Sequence, residues 1–195
     1  MRVGAIVLAA GAGTRMGGQP KALLALHGQS FLARVVATAR AAGVERIVVV
    51  TGHAAQAVSA AAEAQPDLLV VHNPEPARGQ LSSLKVGLHE LGDLDGALAW
   101  PVDHPLVRAD TVREIVDAAS RHPGRAVIPR FEGRGGHPTF FPRTLVPALL
   151  ALPDQDGARA LYQRHPEAVV RLDVDDPGVR HDIDTPADYA RVPEK

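Results

Sequence analysis

The chain has 195 residues, 46% of them hydrophobic and 22% charged, which suits one domain with a full apolar core. Lys+Arg 21 against Asp+Glu 22 leaves a net charge of −1, so nothing draws the whole molecule to nucleic acid or to an anionic membrane, and any anionic ligand must be held by a local site. The absence of cysteine excludes a disulfide framework, a thiolate metal site and a thiol nucleophile. No apolar run approaches the roughly 18 residues of a membrane span, which points to a cytoplasmic protein.

Short apolar runs then alternate with Ala-rich stretches. Residues 3–8 read as a buried strand that enters a Gly-rich loop rather than a secretory cleavage site. Residues 31–42 read as a helix ended by Gly43, residues 46–51 (RIVVVT) as a second buried strand, and residues 54–64 as a helix stopped near Pro66. A short strand at 68–71, a helix at 81–91 ended by Gly92, a strand at 97–100, a helix at 109–121 and a strand at 126–128 follow. Strands that are apolar throughout and separated by helices imply parallel pairing with both faces covered. The expected fold class is α/β, a doubly wound three-layer domain with a mostly parallel sheet.

The second half is less regular. Residues 133–141 (GRGGHPTFF) read as a Gly-rich turn entering a short strand, 158–165 as a helix and 169–172 as a strand. The tail reads HDIDTP and then a helical turn, with Pro186 at its first position. With no internal repeat, low-complexity linker or composition break, residues 1–195 are expected to form a single domain.

The chemistry begins after the first strand, in LAAGAGTRMGGQPKALL at residues 8–24. Gly11, Gly13, Gly17 and Gly18 let the backbone curl close to a ligand, and successive free N–H groups in such a turn form an anion nest. Arg15 and Lys21 add two cations, the combination a triphosphate needs. Two familiar motifs are excluded: Met16 occupies the third glycine of a dinucleotide fingerprint, and Lys21 lies between Pro20 and Ala22 rather than in Gly-Lys-Ser/Thr. A plain Gly-rich turn with solvated Arg and Lys is the competing reading.

Asp103, in WPVDHPLV, follows the strand at 97–100, where the carboxyl ends of an open α/β sheet gather ligands. Mg²⁺ takes one or two carboxylates together with phosphate oxygens and water, so Asp103 suits a metal ligand as well as a turn-forming Asp. In the tail, Asp182 and Asp184 are two residues apart and share a face in extended chain. Asp184 could equally cap the last helix, and Asp188 is read as structural. His27, His53, His89 and His165 show no metal-ligand spacing and are read as structural or solvated.

The run LAAGAGTRMGGQPK, followed by LLALHGQSFL, resembles the nucleotidyltransferases of molybdenum cofactor biosynthesis, the MobA-like NTP transferases, and among them the molybdopterin cytidylyltransferase branch. A wider group of sugar-phosphate and terpenoid-precursor nucleotidyltransferases, with the nucleotide-diphospho-sugar transferase fold, is similar. The resemblance implies that Leu8, Ala9, Ala10, Gly11, Ala12, Gly13 and Thr14 wrap the triphosphate. Arg15 and Lys21 would neutralise it and stabilise the leaving pyrophosphate. It implies Mg²⁺ on Asp103 and Asp184, with Asp182 the weaker candidate. Gly79, Ser82 and Ser83 match the second nucleotide-recognition segment, and simple N-capping is the rival use of each serine. That segment, and LAAG in place of the LAGG typical of the guanylyl branch, favour CTP over GTP.

Gly136, His137 and Pro138 match the GHP motif beside the acceptor. The segment DQDGARAL at 154–161 matches a further acceptor segment, but Pro153 stands where the family has glycine, which bears on Asp156, Gly157 and Arg159. The implied reaction is in-line attack of an acceptor phosphate, molybdopterin by resemblance, on the α-phosphorus of the NTP. A molybdoenzyme or its chaperone is the implied protein partner. The alternatives are a guanylyltransferase, a nucleotidyltransferase for a sugar phosphate or phospholactate, a nicotinamide-dependent oxidoreductase, and a nucleotide binder without catalysis.

Overall fold

A strand that is apolar at every position needs cover on both faces. In the computed structural model, which describes residues 1–192, all seven residues of β1 (Val3–Ala9) are buried. The remaining strands are the β2–β3 hairpin (Ala25–Leu26, Gln29–Ser30), β4 (Arg46–Thr51), β5 (Leu68–His72), β6 (Gly96–Pro101), β7 (Ala126–Phe131), β8 (Arg134–Gly135), β9 (Thr139–Pro142) and β10 (Val169–Asp173). The helices are α1 (Phe31–Ala41), α2 (Ala55–Glu63), α3 (Gln80–His89), α4 (Ala109–Arg121), α5 (Val146–Ala151), α6 (Arg159–Arg164) and α7 (Pro186–Ala190).

The sheet runs β10-β7-β9-β6-β1-β4-β5, with β8 paired to β7. β1 pairs in parallel with β4 and β6, β4 with β5, and β7 with β10. Alternate β1 side chains enter two cores. Val3, Ala5 and Val7 join Phe31, Val35, Trp100, Val112 and Ile115 on one face, while Ile6 and Leu8 join Leu81, Leu84, Leu88, Leu149 and Leu161 on the other. Each fully buried side chain of that size contributes about 1.5–3 kcal/mol.

The β2–β3 hairpin was not anticipated by the sequence, and three further features go beyond the sequence reading. β9 is antiparallel to both neighbours, because a short turn through β8 can only return the chain in the reverse direction. α5 was not expected, being six residues long with Pro147 in its first turn. The last helix is capped by Thr185 and not by Asp184: the Thr185 hydroxyl accepts from the Asp188 N–H, and the Asp188 carboxylate accepts from the Thr185 N–H at 2.9 Å. Asp188 is thus structural, and Asp184 is left for another role.

From β1 the chain crosses to β4 and β5 on one side, then returns to β6 on the other. The carboxyl ends of β1 and β6 therefore flank a topological switch point, where open α/β sheets leave a crevice. Among the described residues, no helix is long and apolar enough to cross a membrane.

Candidate active site

The loop after β1 is shaped by glycine. Gly13 sits at φ 62°, and a Cβ there would overlap the carbonyl oxygen of Gln19. Its carbonyl accepts from the N–H groups of Met16 (2.9 Å) and Gly18 (3.0 Å), which closes the curl. A one-turn helix at Lys21–Leu23 then turns Lys21 back over the crevice.

Lys21 Nζ donates to Asp103 Oδ2 at 2.7 Å and also to Asp184 Oδ1, while Arg15 pairs with the other oxygen of Asp184. Asp103 lies just beyond β6. Asp184 is brought to it by Ile183, which is fully buried and whose N–H donates to the Asp103 carbonyl at 2.9 Å. The side chains of Lys21, Asp103 and Asp184 are 18%, 21% and 22% exposed, open enough to meet a ligand and shielded enough for charge to matter.

These residues floor a cleft of about 290 Å³. Residues 8–15 form one wall, and Gly79, Gln80 and Ser83 form the facing wall. Ser82 is turned away: it is buried, its hydroxyl donates to the Gly79 carbonyl at 2.8 Å, and it accepts from Asn73 Nδ2. Asn73 donates to Ser83 as well, so it holds the start of α3. Gln80 and His53 also line the cleft, and neither belongs to a motif that sequence reading could isolate. Asp182 is exposed and lies off the cleft wall.

A second pocket of about 240 Å³ opens beyond Gly79 and Gln80, and a basin of about 850 Å³ beyond that. His137 lines both, Gly136 lines the basin, and Pro138 is buried. Gly136 has no room for a side chain, since a Cβ would overlap the Val179 carbonyl. Asp156 lines the second pocket, Arg159 the basin and Gly157 both, so the segment after Pro153 does face these cavities.

Burial pushes the His137 imidazole down to about 4, with the neighbouring His104 ring, 5.1 Å away, adding to the effect. The ring is neutral near pH 7, and its Nδ1 is buried with no hydrogen-bond partner among the described residues. Burial lowers His104 too, against the pull of Asp103 and Asp182.

Among the described residues there is no cluster of three or more His, Asp or Glu that could enclose a metal by itself. Two hard carboxylates beside a phosphate-sized cleft do suit a divalent cation that takes its other ligands from phosphate oxygens and water. Lys21, held between them, is a cation able to move onto those phosphates.

Comparison with known proteins accords with this geometry. The MobA-like NTP transferase domain matches residues 5–169. Nicotine blue oxidoreductase of Paenarthrobacter nicotinovorans is 32% identical over 188 residues, 92% of this chain and 91% of that one. Rv0371c of Mycobacterium tuberculosis H37Rv superposes with a TM-score of 0.80 at 32% identity, over 98% of this chain and 97% of that one, and has also been solved in complex with manganese. A nucleotidyl transferase from Methanothermobacter thermautotroptrophicus gives a TM-score of 0.82 at 26% identity, over 97% and 95% of the two chains.

Proposed function

The chain belongs to the MobA-like NTP transferase family and is a nucleotidyltransferase, and from that premise we propose that it moves CMP from CTP onto a small phosphorylated acceptor of the molybdopterin type, with Mg²⁺ as its metal and pyrophosphate as the product released. The reading rests on the cluster of Arg15, Lys21, Asp103 and Asp184 facing the glycine loop across one cleft. It takes residues 1–195 as one domain acting in the cytoplasm and delivering its product to a molybdoenzyme or its chaperone.

In this mechanism the N–H groups of residues 11–14 orient the triphosphate. Lys21 leaves the two carboxylates and, with Arg15, neutralises the phosphates and the developing charge on pyrophosphate. Asp103 and Asp184, once released, would hold the cation, which would supply Lewis-acid polarisation of the α-phosphate. Gly79, Gln80 and Ser83 flank the nucleoside side of the cleft. The attacking acceptor oxygen already carries charge, so positioning replaces a strong general base. The α–β bond breaks as the new phosphoanhydride bond forms. LAAG at residues 8–11 and the segment around Ser83 support CTP over GTP.

A second reading, a nicotinamide-dependent reductase, is favoured by one observation: a relative 32% identical over 91% of its length bears the name of an oxidoreductase. The phosphate loop, with Met16 in place of a third glycine, opposes it. The deciding experiment is calorimetric titration of CTP, GTP, ATP and UTP with and without Mg²⁺, and of NADH. Mg²⁺-dependent binding that prefers CTP supports the proposal. A GTP preference replaces the branch but keeps the chemistry. NADH binding with no NTP binding replaces the proposed reaction with a redox one.

A further inference from the structure

The chain as a whole is nearly neutral, yet among the described residues the basin beside Gly136 and His137 is lined by five arginines and by no Asp or Glu. Arg130 comes from β7, Arg134 from β8, Arg159 from the start of α6, Arg171 from β10, and Arg180 from the loop leading to Asp184. Arg130 is already engaged by both oxygens of Asp173, at 2.9 and 2.7 Å, and Arg180 donates to the Gly135 carbonyl at 3.2 Å. The side chains of Arg134, Arg159 and Arg171 have no hydrogen-bond or ion-pair partner among the described residues. Like charges gathered without carboxylates repel, and a solvated surface would not need to converge them on one concavity.

The basin is also joined to the nucleotide cleft. Gln80 lines both, and His137, Thr139, Gly157 and Tyr162 are shared between the basin and the pocket that lies between them. A molecule whose phosphate reaches the Lys21–Asp103 end would lay its remainder along this trough. His137, Thr139 and Tyr162 line the middle of the path.

We infer that the acceptor carries a second anionic group, a carboxylate, a phosphate or another anionic centre, and that Arg134, Arg159 and Arg171 bind it in this basin. The inference rests on the nucleotidyltransferase reading for the direction of the acceptor, but the basin's own charge does not. Guanidinium groups suit the task because their planar forks take an anion bidentately. Two or three such contacts would make an ester with two anionic groups bind at least about tenfold tighter than one with a single anionic group, an advantage that falls as salt rises.

The test uses the full chain, first titrated with Mg²⁺ and CTP and then, in that complex, with alkyl monophosphates and with α,ω-alkanediol bisphosphates of graded length. The expected result is a preference of about tenfold or more for a bisphosphate of at least one length. Arg134→Ala combined with Arg171→Ala should reduce the preference to within about twofold, while CTP binding, the control for folding, is unchanged. Equal affinity for both ester classes at every length overturns the inference, as does a preference that survives the loss of Arg134, Arg159 and Arg171 together. CTP binding without ester discrimination leaves the proposed function standing and the basin inference refuted. Discrimination without CTP binding supports the basin and refutes the function. Tight binding of polyglutamate with no discrimination between esters overturns the inference in favour of an acidic protein as the basin's partner.

Discussion

Lys21 Nζ lies 2.7 Å from Asp103 Oδ2 while also reaching Asp184, 163 residues away in the chain, so one ammonium group bridges the two carboxylates proposed to hold the metal. A dication and this lysine compete for the same oxygens. Triphosphate resolves the competition by giving Lys21 a different anion. Nucleotide and metal should therefore bind with positive coupling, each strengthening the other by the same factor.

The coupling is measurable by Mn²⁺ titration followed by electron paramagnetic resonance. Wild-type protein should bind Mn²⁺ weakly alone and about tenfold or more tightly with CTP present. Lys21→Met should raise Mn²⁺ affinity in the absence of nucleotide, since the competing charge is gone, and lower turnover by about a hundredfold or more. An unchanged Mn²⁺ affinity in Lys21→Met would refute the competition.

Asp184 and its neighbour Thr185 divide two roles that the tail sequence left open. Thr185 forms the capping box with Asp188, whereas Asp184 points to Lys21 and Arg15. Asp184→Asn and Asp103→Asn should each cost about a hundredfold in turnover with melting temperature nearly unchanged. Thr185→Ala should instead cost about 1 kcal/mol of stability. Paired melting curves and initial rates separate these effects, and an Asp184→Asn protein that turns over normally would remove that residue from the site.

The parallel half of the fold was legible because a buried strand between helices has a distinctive pattern, and β4 and α4 begin and end where that pattern does. The direction of β9 was not, because a four-residue apolar run carries no sign of parallel or antiparallel pairing. That sign lies in the length of the connection from β7. At the site, the phosphate loop was legible from its glycines and cations. Gln80, His53 and Asn73 were not, since each reaches the cleft or its support through tertiary placement alone. Ser82 and Ser83 are adjacent on α3 and so point in different directions, which the sequence match could not separate.

His137 gives the stability a pH dependence. Its folded-state value is about 4, against roughly 6.5 in an unfolded chain. Above pH 6.5 the ring is neutral in both states and its contribution is fully present. As pH falls from about 6.5 to 4, the unfolded state takes up a proton that the folded state refuses, so stability is lost, by roughly 3 kcal/mol over the window. Melting temperature recorded between pH 4 and 7 should show this slope, and His137→Gln should reduce it, leaving the part contributed by the buried His104. An equally steep curve in His137→Gln would assign the slope to other groups.

Asp176 links the stability of the fold to the placement of Asp184. It is 2% exposed, and its carboxylate accepts from the Arg108 N–H (2.9 Å), the Thr111 hydroxyl (2.7 Å) and the Gly178 N–H (2.9 Å). α4 starts after Arg108, whose side chain makes no cap, and Asp176, 68 positions further along the chain, holds the start of the helix through the Arg108 N–H and the Thr111 hydroxyl. The same bonds fasten the segment that runs on through Ile183 to Asp184. Asp176→Ala would strand those donors in the interior and should cost about 2–4 kcal/mol. Because the tail is then released, Mn²⁺ affinity in the CTP complex should fall with it, even below the melting transition. Arg108→Ala supplies the control: its side chain is 57% exposed and its Nε is 3.7 Å from Asp176, so it should cost no more than about 0.5 kcal/mol and leave Mn²⁺ binding intact. Loss of stability in Asp176→Ala with full Mn²⁺ affinity would show that Asp184 is positioned by Ile183 alone.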